Sequence, residues 1–263
     1  MKVGVVGAGH IARALAAGWA RPGVVPCPDL VFYDVRGDVA VRVAAESGAQ
    51  TAADLDALVA AADVVIVAVR PQHVLEVVSQ VALGLGDRPL VSVAAGVGLA
   101  RIGAALPPGA RAGRVMPNVA AALGLGTFVM APGTLGECEE QVEDLFALCG
   151  DVVKIPEELF DVATVVAGCT PGILAQIVAE MATIGADGGL APEVAVRLVV
   201  ASFHGAAAVI AETEDPAAVL RSAATPGGMT AAAIAALEEH ELAAALRSAV
   251  LAAARRAAEL GAA

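Results

Sequence analysis

The sequence predicts an α/β N-terminal domain with a mostly parallel sheet, followed by an all-α domain. Three observations carry this expectation. Short apolar, β-branched runs alternate with helical stretches through the first half, the pattern of βαβ units. From Glu158 onward strand signal all but disappears, and long Ala-rich helical stretches take over. The 263 residues also exceed what one compact core usually needs.

Taken in order, Lys2–Val6 reads as a buried strand and His10–Ala20 as a helix. Leu30–Tyr33 is a second strand and Val39–Ser47 a second helix. Asp63–Val69, apolar on both faces, has the composition of a central parallel strand, and Pro71 ends it. Leu90–Val93 is another strand. The domain change falls near Lys154–Pro156, giving domains 1–155 and 156–263. Helices of the second domain break at Thr170-Pro171-Gly172, Gly188-Gly189, Asp215-Pro216 and Thr225-Pro226-Gly227-Gly228. So much apolar helix is hard to bury in one chain, so this half reads as a dimerisation domain with a core shared between subunits.

Composition narrows the function. Hydrophobic residues make up 58% of the chain and aromatics 3%, so the core is built from Ala, Val and Leu at close backbone spacing. A net charge of -12 argues against nucleic acid and anionic membranes as partners. Cys27, Cys138, Cys149 and Cys169 fit neither a zinc site nor a redox pair and read as reduced, mostly buried thiols. The glycine-interrupted start does not resemble a signal peptide, and no unbroken run reaches the ~18–20 apolar residues of a membrane span. A cytoplasmic protein is expected. His10, His73, His204 and His240 make no metal-ligand spacing, and no nucleophile–base set is present.

Gly7-Ala8-Gly9-His10-Ile11-Ala12 follows the first strand and opens the first helix. This is GxGxxA, a permitted form of the dinucleotide fingerprint, in the strand–turn–helix setting that gives it meaning. Gly7 allows the tight turn, Gly9 lets backbone approach a pyrophosphate, and Ala12 lets helix and strand pack closely. The first domain is therefore expected to be a Rossmann domain binding NADPH or NADH. Asp34, at the end of the second strand, would accept bonds from a ribose 2′-hydroxyl and repel a 2′-phosphate. Arg36 would pair with that phosphate. The two signals conflict, with Asp34 favouring NADH.

Four further stretches, VAVRPQ at 67–72, SVAAGV at 92–97, GRVMPN at 113–118 and TPGGMT at 225–230, follow the fingerprint in order. Together they resemble the pyrroline-5-carboxylate reductase family across nearly the whole chain. The resemblance implies reduction of 1-pyrroline-5-carboxylate, a small cyclic imine, to L-proline with NADPH or NADH. It implies an interlocked homodimer, which some members assemble into a decamer. It places Ala68, Val69, Arg70 and Pro71, with Ala94, Ala95 and Gly96, at the nicotinamide end, and Asn118, with Met116 and Pro117, at its floor. It gives Thr230 a hydrogen bond to the ring nitrogen, and the backbone N–H groups of Gly227, Gly228 and Met229, which open the helix starting near Thr230, suit the substrate carboxylate. Glu157, and more weakly Glu214, occupy positions where the family carries an acid near substrate. Capping of the helix by Thr225 and Thr230 is the plainer alternative for those two residues.

The chain departs from the family in three places. Arg70 replaces a Lys, Val119-Ala120 replace the end of an MPNTP motif, and Ala167-Gly168-Cys169-Thr170-Pro171-Gly172-Ile173 replaces a Ser- and Tyr-containing segment. The last change leaves a different cyclic imine open as substrate. A β-hydroxyacid dehydrogenase would need a catalytic lysine, and Lys2 and Lys154 are unsuitably placed. An imine reductase of the secondary-amine type often uses an Asp or Tyr as proton donor, and the only tyrosine here, Tyr33, is at the ribose edge. A dinucleotide sensor without turnover would not need the 225–230 loop.

Overall fold

The computed structural model describes residues 1–262, with side chains through Glu259. By its internal contacts the chain divides into two compact units: Met1–Pro171 together with the C-terminal residues from Ala253, and Gly172–Ala252.

The first unit opens with β1 (Lys2–Val6), α1 (His10–Trp19), β2 (Asp29–Tyr33), α2 (Gly37–Ser47), β3 (Gln50–Thr51), α3 (Leu55–Ala61) and β4 (Val64–Val67). It continues through α4 (Val74–Leu85), β5 (Leu90–Ser92), α5 (Leu99–Ala104), β6 (Ala112–Met116) and β7 (Gly126–Ala131). It closes with α6 (Glu139–Ala147), β8 (Gly150–Lys154) and α7 (Phe160–Gly168). The strands form one sheet in the order β3-β2-β1-β4-β5-β6-β7-β8. Every pair is parallel except β6 with β7, where Val115 faces Met130. The mostly parallel sheet and the central place of β4, whose four residues are all buried, agree with the sequence expectation.

Four strands were not legible in the sequence. β3 is only two residues long, and β6 carries a glycine and an arginine in its middle. β8 alternates weakly and is largely exposed, so it lacks an apolar run. β7 is a buried apolar run that periodicity alone does not separate from a helical turn.

Scarce aromatic residues are concentrated where large volume is needed. Trp19, Phe32, Phe128, Phe146 and Phe160 are all fully buried. Trp19 Nε1 donates to the Leu145 carbonyl at 2.8 Å, and its ring lies 6.0 Å from that of Phe146. Elsewhere, small residues let backbones meet. A Cβ on Gly18 of α1 would fall 2.7 Å from Cys149 Sγ and closer still to the Ala121 carbonyl. Burial pushes the Cys149 thiol up to about 12, against a smaller opposing pull from Arg21, so it acts as a neutral apolar filler. Cys138 is also buried, but Cys169 is half-buried and Cys27 exposed. The expectation of mostly buried thiols therefore holds for two of the four, because Cys27 lies in the exposed connection before β2.

The expected boundary at 155/156 follows the last strand, whereas the contact division comes after Pro171. Phe160 explains the difference: it packs with Met116, Val129 and Ala131 and keeps α7 on the sheet.

The second unit is helical: the body of α8 (Thr170–Asp187), α9 (Pro192–Thr213), α10 (Pro216–Ala223), α11 (Met229–Glu239) and the start of α12 (Leu242–Ala262). Pro192 and Pro216 sit at first helical positions, where a missing N–H costs nothing, and Asp215 caps α10 through the Ala218 N–H at 2.9 Å. α8 and α9 approach closely: a Cβ on Gly185 would lie 3.2 Å from that of Ala195. Burial within the unit is otherwise sparse, and Ile184, Leu198 and Val200 are at least half exposed. The helical run Glu157–Asp187 and the helix Pro192–Thr213 have mean hydropathies of 1.8 and 1.9, long and apolar enough to cross a membrane by length and composition. This corrects the sequence reading, which looked for unbroken apolar runs. Alanine-rich helices keep a high average while single polar residues interrupt them.

Gly18→Ala is expected to lower stability by about 1–3 kcal/mol, because the methyl group must displace a backbone carbonyl and a buried sulfur. Urea denaturation measures it, and an unchanged midpoint would contradict the close approach.

Candidate functional site

Strand order puts the candidate coenzyme residues together. β1 is flanked by β2 on one side and β4 on the other, so the connections leaving it and its neighbours run to opposite sides and open a crevice at the strands' carboxyl ends. Gly7–Ala12 leaves β1, Asp34 leaves β2, Ala68–Pro71 leaves β4, Ala94–Gly96 leaves β5 and Asn118 leaves β6. All of these strands are mutually parallel, so the segments emerge at one edge.

Backbone hydrogen bonds hold that edge. Gly7 N–H donates to the Tyr33 carbonyl at 2.7 Å, Ala68 N–H to Val6 at 2.8 Å and Val93 N–H to Val67 at 3.0 Å. Gly7 has φ +97°, and a Cβ there would lie 2.7 Å from the Ala68 carbonyl, so only glycine fits. Gly9 differs: a Cβ there would meet nothing within 4 Å. Its smallness serves no packing inside the protein and leaves open the approach to the N-terminus of α1. That helix has no side-chain cap and no acid in its first turn, so its first N–H groups suit a phosphate. Ala8 and Ala12 are buried in the core, Ile11 is half-buried and His10 is exposed. The residues thus fit a dinucleotide. Arg70 is exposed just before the turn begun by Pro71.

Asp34 is held from two sides. Its Oδ2 accepts from the Ala8 N–H at 2.8 Å and its Oδ1 from the Arg36 N–H at 2.9 Å. The Arg36 side chain is exposed, with Nε 3.9 Å from Asp34 Oδ1.

Two expected site residues have structural duties. Asn118 is buried; its Oδ1 accepts from the Ala120 N–H at 3.1 Å, and its Nδ2 lies 3.5 Å from the Ala167 carbonyl. It caps the short turn Val119–Leu123. Glu157 Oε1 accepts from the Leu99 N–H at 2.9 Å and from Arg114 Nη1 at 2.8 Å. It caps α5, whose own N-cap, Gly98, has no side chain to do so, and thereby fixes the end of the Ala94–Gly98 loop. Instead of a free carboxylate, the structure has Glu157 paired with an arginine.

Sequence reasoning missed that arginine. Arg114 on β6 is 3% exposed in its side chain, and its guanidinium lies 4.0 Å over the Phe160 ring. Its Nε and Nη2, with Glu157 Oε2 and Thr164 Oγ1, are buried without a protein hydrogen-bond partner, and Asp161 stands 3.7 Å from Nη2. The available signal was a lone charge inside an apolar strand, which demands a buried counter-charge.

In the second unit, Gly227 has φ +74° and Gly228 is the N-cap of α11, with extended backbone and no side-chain cap. The Gly228 N–H donates to the Thr225 carbonyl at 2.9 Å. The N-cap position of α11 is Gly228, so neither Thr225 nor Thr230 occupies it. Thr230 and Met229 are exposed in the first turn of α11. Glu214 ends α9 in a left-handed conformation, φ 50°. Among the described residues, no group of three His, Cys, Asp or Glu side chains is placed to hold a metal.

A family model described as pyrroline-5-carboxylate reductase dimerisation matches residues 157–260. A second, described as NADP oxidoreductase coenzyme F420-dependent, matches residues 2–96. A pyrroline-5-carboxylate reductase of Arabidopsis thaliana is 36% identical over 244 residues, covering 90% of this chain and 87% of its own length. One from Methanosarcina acetivorans is 32% identical over 264 residues, covering 99% and 98%. The crystal structure of Plasmodium falciparum pyrroline carboxylate reductase with NADP bound superposes with a TM-score of 0.89 at 23% identity, covering 99% of this chain and 98% of that one.

Glu157→Ala leaves the buried Arg114 without its closest counter-charge and is expected to cost about 3 kcal/mol in urea denaturation. Replacing both residues by Met and Leu should recover part of that loss. A double variant as unstable as the sum of its single changes would count against the pairing.

Proposed function

The chain belongs to the pyrroline-5-carboxylate reductase family, and from that premise we propose that it reduces 1-pyrroline-5-carboxylate to L-proline with NADH or NADPH. One observation carries the reading. Four segments of matching motif emerge, together with Asp34, at one edge of the sheet around an uncapped helix N-terminus, in a chain similar to such reductases along 90% or more of its length.

The bound coenzyme supplies a hydride. The chain's own residues bind and orient. The Gly7–Ala12 turn and the first N–H groups of α1 hold the pyrophosphate, and the Ala94–Gly96 loop, pinned through Leu99 to Glu157, lines the nicotinamide end. The uncapped start of α11 receives the substrate carboxylate through the backbone of Gly227, Gly228 and Met229. The Thr230 hydroxyl bonds the ring nitrogen. A protonated iminium already carries its proton on nitrogen and is electrophilic at carbon, so hydride addition gives the amine with no strong protein acid. Catalysis then rests on position. Glu157 serves this site by holding the loop.

The exposed apolar side chains of α8 and α9 are covered by a second copy of this chain in a homodimer, the arrangement for which the model matching residues 157–260 is described. Further assembly to a decamer would build on that dimer. Charged residues such as Glu193, Arg197 and Glu212 punctuate α9 and favour protein over lipid as its cover, in keeping with a soluble cytoplasmic enzyme. A different cyclic imine is the second reading, favoured by the altered segment Ala167–Ile173.

Purified protein is expected to oxidise reduced nicotinamide, followed by absorbance, when given 1-pyrroline-5-carboxylate. Coenzyme binding without oxidation would transfer the proposal to another imine. Thr230→Ala should lower kcat/KM by more than threefold; a smaller change, under ~0.7 kcal/mol of barrier, removes the threonine from the mechanism. Light scattering in detergent-free buffer should return twice the chain mass or an even multiple of it, and a monomer would contradict the shared helical core.

A further inference from the structure

We propose that this chain selects NADH over NADPH, and that Asp34 is the residue that selects. The inference rests on the reading of the Gly7–Ala12 turn as a dinucleotide site and adds to it which dinucleotide fits.

In the sequence, Asp34 and Arg36 pull in opposite directions. The structure separates them by how firmly each is held. Asp34 leaves β2 beside the turn, because the Gly7 N–H donates to the Tyr33 carbonyl at 2.7 Å. Its carboxylate is clamped by the N–H groups of Ala8 at 2.8 Å and Arg36 at 2.9 Å, one on each oxygen. The side chain is 12% exposed. Swinging it aside would strip the acceptor from the N–H of Ala8, itself a buried residue. A bound coenzyme therefore meets a fixed negative charge at the edge of β2.

Each carboxylate oxygen has a second lone pair, so Asp34 can accept from a ribose hydroxyl while keeping both backbone bonds. A 2′-phosphate offers mainly acceptors and up to two negative charges, and the carboxylate has no proton to give it. Arg36 is the counter-argument. Its side chain is 67% exposed and its Nε stands 3.9 Å from Asp34 Oδ1, so its charge is hydrated and partly engaged by the same carboxylate. The neighbouring Asp38, paired with Arg42 at 3.6 Å, adds no net positive charge. The less hydrated and better anchored group governs, since solvent screens it least.

The test measures equilibrium dissociation constants of NADH and NADPH for the full chain by coenzyme fluorescence, with no imine present. NADH is expected to bind at least tenfold tighter. Asp34→Ser should narrow that ratio at least fivefold, chiefly by strengthening NADPH. Asp34→Asn keeps an acceptor for the Ala8 N–H and should move the ratio the same way if the serine variant does not fold. Equal or tighter NADPH binding to the unaltered protein overturns the proposal, as does a ratio unmoved by either substitution. Binding of neither coenzyme overturns both this inference and the dinucleotide reading. NADH preference without turnover of any imine would sink only the proposed reaction and leave the selection by Asp34 standing.

Discussion

Everything at the candidate site depends on the backbone of β1 lying directly against its neighbours. Gly7 and Ala68 donate across to Tyr33 and Val6, and the Ala8 N–H turns to the Asp34 carboxylate, so the ends of three strands are joined by hydrogen bonds with no large side chain between them. Glycine makes the approach possible twice. A Cβ on Gly4 would lie 2.6 Å from Leu58, and one on Gly7 would strike the Ala68 carbonyl. A core with few aromatic residues can afford such spacing, because alanine and valine leave little volume to accommodate.

Under the proposed coenzyme selection, the same knot gives one carboxylate both a structural and a recognition role. Asp34 satisfies the N–H groups of buried Ala8 and exposed Arg36, one on each carboxylate oxygen. Arg114 and Glu157 repeat the arrangement farther along the same sheet: a buried charge on β6 is met by a carboxylate that also closes the first turn of α5. In both cases the polar side chain ties a loop at the carboxyl end of the sheet to a rigid strand.

How much of this was legible in the sequence follows from the range of the interactions involved. The fingerprint, β1, β2, β4, β5 and the helical second half are local patterns of period and punctuation, and they could be read in place. β6 to β8 could not, since the first carries a charge whose partner lies far along the chain, the second has no decisive period and the third is mostly exposed. Residue types only tilt the contest between Asp34 and Arg36 toward NADH; the bond that holds Asp34 in place comes from the Ala8 N–H, 26 residues away. Glu157 was recognised as an acid worth naming, yet its bonds to Arg114 and Leu99 span 43 and 58 residues, and no spacing rule reaches that far. Asn118 stood in a motif, and only the fold reveals that its amide is spent on capping a turn.

The reach of Glu157 also has a meaning in time. Synthesis runs from the N-terminus, so β1 to β5 and the loop after β5 leave the ribosome well before the carboxylate that caps α5 exists. Until then the nascent domain has its nucleotide-facing strands and an untethered loop, and Arg114 has no counter-charge to bury against. Closure of that long contact is a late event by chain topology. A partly made chain therefore carries the Ala94–Gly98 loop without its tether, and the same carboxylate that later holds the loop reports that the sheet has been finished.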